Sequence, residues 1–255
     1  MRILLTNDDG IMAAGLVAMY RQLIKHGTVD VVAPESVQSA TGHGITISTP
    51  LLTQRVTVEG AFTGTAVAGR PADCVKLAVT QLMDQAPDLV VSGINAGANV
   101  GINVLYSGTV AAATEAAFLG LPSVAVSLYL RPEVPTNFAW AAEIAMQVIE
   151  QIRQAGLRGG QAISINLPAL PAGSKPAGIR IVRQCTRPWT DTYDRRKDPK
   201  GRDYFWNTSL FTLDNAEPDS DVSSLREGYI TITPLQFDLT DHQLLAKWQS
   251  RPWAL

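Results

Sequence analysis

Short apolar runs alternate with stretches of helical spacing through the first two thirds of the chain. Ile3-Leu4-Leu5 is an apolar run that stops at the turn sequence Asn7-Asp8-Asp9-Gly10. Leu16, Met19, Tyr20, Leu23 and Ile24 then recur on one helical face, and Gly27 closes that helix. Residues 30–34, Asp-Val-Val-Ala-Pro, read as a second strand, and 45–52 with 55–58 predict a hairpin or excursion. Helix introduced by Pro71, strand at 88–91, Ala-rich helix at 109–119, strand at 124–126, helix at about 138–155 and strand at 163–165 complete the series. Continuous Val/Ile/Leu strands between helices predict an α/β fold, a mostly parallel sheet covered by helices on both faces.

From about Pro168 the pattern changes. Prolines, aromatics and charges crowd 186–206, including Arg187-Pro188-Trp189 and Tyr204-Phe205-Trp206, which predicts a protruding hairpin or arm with little core of its own. A strand at 228–233 and a closing helix at 241–248 follow. The expectation is one domain over 1–255, with a core at about 1–167 and a hairpin, arm and closing elements at about 168–255.

Composition narrows the function classes. With 255 residues, 46% hydrophobic and 17% charged, the chain can bury a large core and is not a disordered segment. A formal net charge of −2 and no strongly basic stretch argue against a long nucleic-acid partner. The opening Met1-Arg2-Ile3-Leu4-Leu5 reaches Asp8 and Asp9 before an apolar signal core could form, and no apolar run is long enough to span a membrane. Two cysteines, Cys74 and Cys185, are too few for a disulfide framework or a thiolate cage. Cytoplasmic residence is expected.

Three polar clusters follow strands, where open α/β sheets bind ligands. Asp8 and Asp9 can converge only where the chain has turned, and two close carboxylates repel unless a cation lies between them or one is protonated. The loop from Glu35 to Gly44 is rich in hydroxyls and glycine, with His43 in a minor role at most. Ser92-Gly93-Ile94-Asn95-Ala96-Gly97-Ala98-Asn99-Val100-Gly101 leads to Tyr106-Ser107-Gly108-Thr109 and a helix. Its glycines fit neither a dinucleotide fingerprint nor a P-loop. A hydroxyl-rich helix start instead suits an anion, while also serving as a cap. Together the clusters offer two carboxylates, a serine hydroxyl and an asparagine amide, hard oxygen donors that suit Mg²⁺, Mn²⁺ or Ca²⁺ and not zinc.

The chain resembles the SurE survival-protein family of 5′(3′)-nucleotidases. The resemblance is carried by Ile3 through Gly10, Val31-Val32-Ala33-Pro34 with Gln38-Ser39, Pro71 through Val75, Pro87 through Ala113, Asp219 through Val222 and Gly228 through Leu235. It implies a Rossmann-like domain with a protruding hairpin and a C-terminal arm, often exchanged between subunits of homodimers or homotetramers. It also implies one divalent cation, commonly Mg²⁺ or Mn²⁺, with Ca²⁺ able to occupy the site, held by Asp8, Asp9, Ser39 and Asn95. Ser107, Gly108 and Thr109 match the phosphate-binding segment. Asn99, His43 and Arg70 are candidate substrate contacts. Arg70 stands where the family usually has threonine, Ala40 where glycine is frequent, and Met12-Ala13-Ala14-Gly15 lacks a common proline.

The reaction these features imply is hydrolysis of nucleoside monophosphates by in-line attack of water, with Asp8 or Asp9 accepting its proton. A phosphoenzyme on Asp8 is the rival route. A nucleotide sensor without turnover and a dehydrogenase on a similar fold are the alternatives, and neither needs paired carboxylates.

Overall fold

The computed structural model describes residues 1–58, 60–188, 191–208, 212–214 and 216–253. Its elements run β1 Arg2–Thr6, α1 Ala14–Leu23, β2 Thr28–Pro34, β3 Thr53–Val58, β4 Phe62–Val67, α2 Pro71–Leu77, β5 Leu89–Ala96 and α3 Gly108–Phe118. Then follow β6 Ser123–Leu128, α4 Phe138–Gln154, β7 Ala162–Leu167, β8 Ile179–Ile181, β9 Tyr193–Lys197, β10 Asp203–Asn207, α5 Asp221–Arg226, β11 Ile230–Leu235 and α6 His242–Gln249.

Nine strands form one sheet in the order β3-β4-β2-β1-β5-β6-β7-β11-β8. The interior pairs from β4 to β7 are parallel, whereas β3 pairs antiparallel with β4 and β11 antiparallel with β7. Alternation along the strands divides the core between the two faces. Ile3 and Leu5 join Leu16, Met19 and Ile149 under α1 and α4, while Leu4 joins Val90, Cys74 and Ala112 under α2 and α3.

The expected alternation is present, with two differences at its edges. Residues 45–52 are not a strand. Asp73 draws this stretch off the sheet by accepting from the Thr46 N–H at 2.9 Å and the Thr46 hydroxyl at 2.7 Å, and Ile47 is left 84% exposed. The hairpin partner of β3 is instead β4, whose small residues Thr63, Gly64 and Thr65 hide a strand from a hydropathy reading. The arm forms the two-stranded sheet β9–β10, exposed on both sides; Trp189 lies outside the described residues. Helix α6 buries none of its residues. Among the described residues no helix is long and apolar enough to cross a membrane.

Candidate active site

The carboxyl ends of β1 and β5 lie side by side, with Thr6 opposite Ser92 in register. β1 ends in a turn that is tied down locally. The Asn7 side-chain amide donates to Gly10 O at 2.9 Å, and the Ile11 N–H donates to Pro34 O at 2.8 Å. Gly10 takes φ +96°, a conformation that side chains disfavour, and so lets the chain double back with Asp8 and Asp9 at the turn.

Asp8 is buried. Its Oδ1 accepts a short hydrogen bond from the Thr109 hydroxyl, and its backbone O accepts from Gln38 N–H at 2.7 Å. Helix α3 therefore starts against this carboxylate. A Cβ at Gly108 would lie 2.8 Å from Asp8 Cβ and 3.0 Å from Pro71 Cγ, so only glycine permits the approach. Burial pushes the Asp8 carboxyl up to about 6; the Thr109 hydroxyl pulls it down, and the Asp9 charge adds to the rise.

Asp9 is half-buried, and its Oδ2 accepts from Ala96 N–H at 3.0 Å. That bond joins it to the end of β5, where the register against β6 shifts between Ser92 and Asn95. Asn95 donates its Nδ2 to Gly97 O at 2.8 Å, which leaves its side-chain oxygen for another partner. Ser39 sits exposed in a turn one residue beyond Gln38, and Ala40 takes φ +56°, which accounts for the glycine frequent at that position.

Ser107 caps α3 by accepting from Val110 N–H at 3.1 Å. The N–H groups of Gly108 and Thr109 fall in the first turn, where no intrahelical acceptor exists. Thr109 is fully buried with its hydroxyl committed to Asp8, and its backbone N–H also stabilises that carboxylate, so the Gly108 N–H is the first-turn donor left to face an anion.

Each of the three candidate substrate contacts is already engaged within the protein. Asn99 is buried and donates Nδ2 to Ser127 Oγ at 2.8 Å, while its N–H donates to Asn166 Oδ1 at 2.8 Å. His43 pairs with Glu115 at 2.8 Å and stacks on Phe118, 5.0 Å between centroids. Burial works against ionisation of Glu115, but bonds to His43 and Lys76 outweigh it and hold the carboxyl below its usual range. Arg70 lays its guanidinium on the Gly44 backbone, where an added Cβ would sit 1.8 Å from Nη1. Sequence reasoning missed Asn166, Ser127 and Asp73, which hold these loops; only their polarity beside strand or helix ends could have marked them.

The donor set fits a hard divalent cation. It contains two carboxylates with one oxygen each already hydrogen-bonded, an amide oxygen and a hydroxyl. Beneath it the Thr6 and Ser92 hydroxyls and Asn7 Oδ1 are buried with no partner among the described residues. No cluster of three or more His, Cys, Asp or Glu side chains occurs among those residues, so the neutral oxygens are needed to complete any such site.

Paired carboxylates and a helix N-terminus at the carboxyl edge of a parallel sheet define an α/β protein of the kind that binds nucleotides in the crevice beyond its strands. A family model described as survival protein SurE matches residues 3–191, and the chain belongs to that family. It is similar to the 5′-nucleotidase SurE of Syntrophobacter fumaroxidans, 46% identical over 251 residues that cover 97% of this chain and 99% of the relative. The 5′-nucleotidase SurE of Moorella thermoacetica is 47% identical over 257 residues, covering 99% and 98%. The crystal structure of SurE protein from Aquifex aeolicus superposes with a TM-score of 0.82 at 33% identity, covering 97% of this chain and 98% of that one.

Proposed function

We propose that this chain is a divalent-metal-dependent 5′-nucleotidase that hydrolyses nucleoside monophosphates to nucleoside and phosphate. The observation that carries the reading is the buried Asp8 beside Asp9, closed over by Gly108 and Thr109 at the start of α3. Relatives of this length and identity bear the same activity in their names.

Asp8, Asp9, Asn95 and Ser39 would hold Mg²⁺ or Mn²⁺. When bound, such an ion polarises the phosphate and eases formation of hydroxide from water. The first-turn N–H of Gly108, with the helix dipole at the start of α3 across Ser107, Gly108 and Thr109, binds and orients the phosphate dianion. Asp9 is the more open carboxylate, with Oδ2 already bonded to Ala96 N–H and Oδ1 left for the cation; one of the two aspartates accepts the proton of the attacking water. The water oxygen bonds to phosphorus as the ester P–O bond breaks, and the nucleoside leaves as an alcohol after taking up a proton. Thr109 holds Asp8 in place and is not the nucleophile's partner.

The β9–β10 hairpin is assigned to contact between subunits. Tyr204 and Trp206 lie on one face and Phe205 on the other, 40%, 60% and 58% exposed. Large apolar groups of this kind are characteristic of interfaces. Removing residues 193–207 is expected to lower the mass seen by light scattering, and an unchanged mass would contradict the assignment.

The activity itself is tested by phosphate release from a nucleoside 5′-monophosphate. Activity is expected to vanish after EDTA treatment and dialysis and to return with Mg²⁺ or Mn²⁺. Nucleotide binding without release in any metal would favour the sensor instead.

A further inference from the structure

We infer that Asp221 is a positioning residue for the phosphate end of the site, an inference that rests on the nucleotidase reading. Asp221 is 1% exposed and makes no ion pair among the described residues. Its carboxylate collects N–H groups from three segments. Oδ2 accepts from Gly101 at 2.8 Å, and Oδ1 accepts from Cys185 and from Val222, each at 2.8 Å. The charge is held by backbone donors alone, a costly arrangement to bury unless it fixes something in place.

What it fixes is the entry to α3. Gly101 opens a 3-10 turn, Gly101–Leu105, and the N–H groups of Tyr106 and Ser107 both close onto Asn103 O at 3.0 Å. Ser107 is the cap of α3, so the position of Gly101 propagates within one short turn to Gly108. Gln184 holds the same residue from its other side, donating Nε2 to Gly101 O at 2.8 Å. Ala98 and Val100 pack against Cys185, Leu213, Val222 and Leu225, but apolar packing has no direction. The carboxylate supplies the direction.

The substitution Asp221→Asn is selective because an amide keeps one acceptor oxygen. With that oxygen still serving Cys185 and Val222, the NH₂ group faces the Gly101 N–H, donor against donor. The flipped amide would lose two bonds instead of one, so the first orientation prevails. Gly101 is released while the rest of the cluster stays tied.

The test compares wild type, Asp221→Asn, Gln184→Ala and the packing variant Leu225→Ala. The readouts are the inhibition constant of inorganic phosphate, KM, Mn²⁺ affinity and amide hydrogen exchange over 101–107. Asp221→Asn is expected to weaken phosphate by about tenfold, the loss of one charge-assisted bond, with Mn²⁺ affinity retained and exchange at 101–107 accelerated. Gln184→Ala should move phosphate in the same direction by about threefold. Leu225→Ala, at equal or greater loss of Tm, should keep the wild-type phosphate constant. Unchanged phosphate constants in both Asp221→Asn and Gln184→Ala, or an equal weakening in Leu225→Ala, would overturn the proposal. Failure of wild type to release phosphate would strike the nucleotidase reading instead, and exchange at 101–107 would still decide whether Asp221 orders the turn.

Discussion

The turn after β1 and the N-terminus of α5 each bury an aspartate, Asp8 at 5% and Asp221 at 1% exposure, and their surroundings differ in kind. Around Asp221 stand backbone N–H groups, and both carboxylate oxygens are used. Around Asp8 stand the hydroxyl and backbone N–H of Thr109, its own N–H and a second carboxylate, with oxygens of Thr6, Asn7 and Ser92 that have no partner among the described residues nearby in sequence and register. Burial raises the pKa of both groups, yet only Asp8 has a neighbouring charge that adds to the rise. A carboxylate surrounded by donors organises the chain. One placed beside another carboxylate and bare oxygens asks for a cation.

The largest loss is expected at the turn. Asp8→Asn or Asp9→Asn is expected to reduce phosphate release roughly 1000-fold, the several kcal/mol that a held cation supplies. Asp221→Asn, as conservative a change at a position as buried as Asp8, should cost far less, and similar losses at the three positions would erase the distinction.

Thr109 comes next. Thr109→Val removes the hydroxyl that orients Asp8 and is expected to lower activity and Mn²⁺ affinity together by about 10–100-fold, with Thr109→Ser close to wild type. The sequence places Thr109 beside phosphate; the structure commits its hydroxyl to Asp8. If Thr109→Val changes the phosphate constant alone, that bond has no part in holding the cation.

Sequence patterning revealed the parallel strands because Ile3 through Leu5, Leu89 through Val91 and Val124 through Val126 are apolar runs buried on both faces. It revealed the polar clusters because Asp8, Asn95 and Ser107 fall directly after such runs or before a helix. It missed β4, where Thr63, Gly64 and Thr65 carry little hydropathy, and it missed α5 and β8, which are too short for periodicity to register. Asp221 and Asn166 were illegible as supports for a different reason. Their bonds to Gly101 and Asn99 span 120 and 67 residues, and a sequence pattern records only local spacing.

The two aspartates also differ in how they respond to pH. The Asp8 carboxyl lies at about 6 in the folded protein against 3.8 as its ordinary value. Between those values the folded state binds more protons at Asp8 than the unfolded state, so the contribution of this group to stability is full below about 4 and is lost as pH rises through about 6. In metal-free protein this loss is on the order of 3 kcal/mol, which should lower Tm by several degrees. Asp8→Asn should flatten most of the decline, leaving the smaller slope of the same sign from Asp221, whose pKa burial also raises. Saturating Mg²⁺ should flatten it in wild type as well. A metal-free Tm that falls no more steeply from pH 4 to pH 6 in wild type than in Asp8→Asn would contradict the assignment.

The smallest effect is expected at Arg70, which joins no ion pair among the described residues and rests on Gly44 one residue from the proline that abuts Gly108. Arg70→Thr should shift relative kcat/KM among nucleoside monophosphates by less than about tenfold and leave the metal requirement intact. An identical substrate profile would make Arg70 a packing residue of the loop.

On the proposed reading Asp8 and Asp9 form a cation site and not merely a polar turn. Calorimetric titration of Mn²⁺ into EDTA-stripped protein tests it without reference to any substrate. Wild type is expected to bind one ion per chain, with Asp9→Asn at least about tenfold weaker and Asp221→Asn unchanged. Equal Mn²⁺ affinity in wild type and Asp9→Asn would contradict the account.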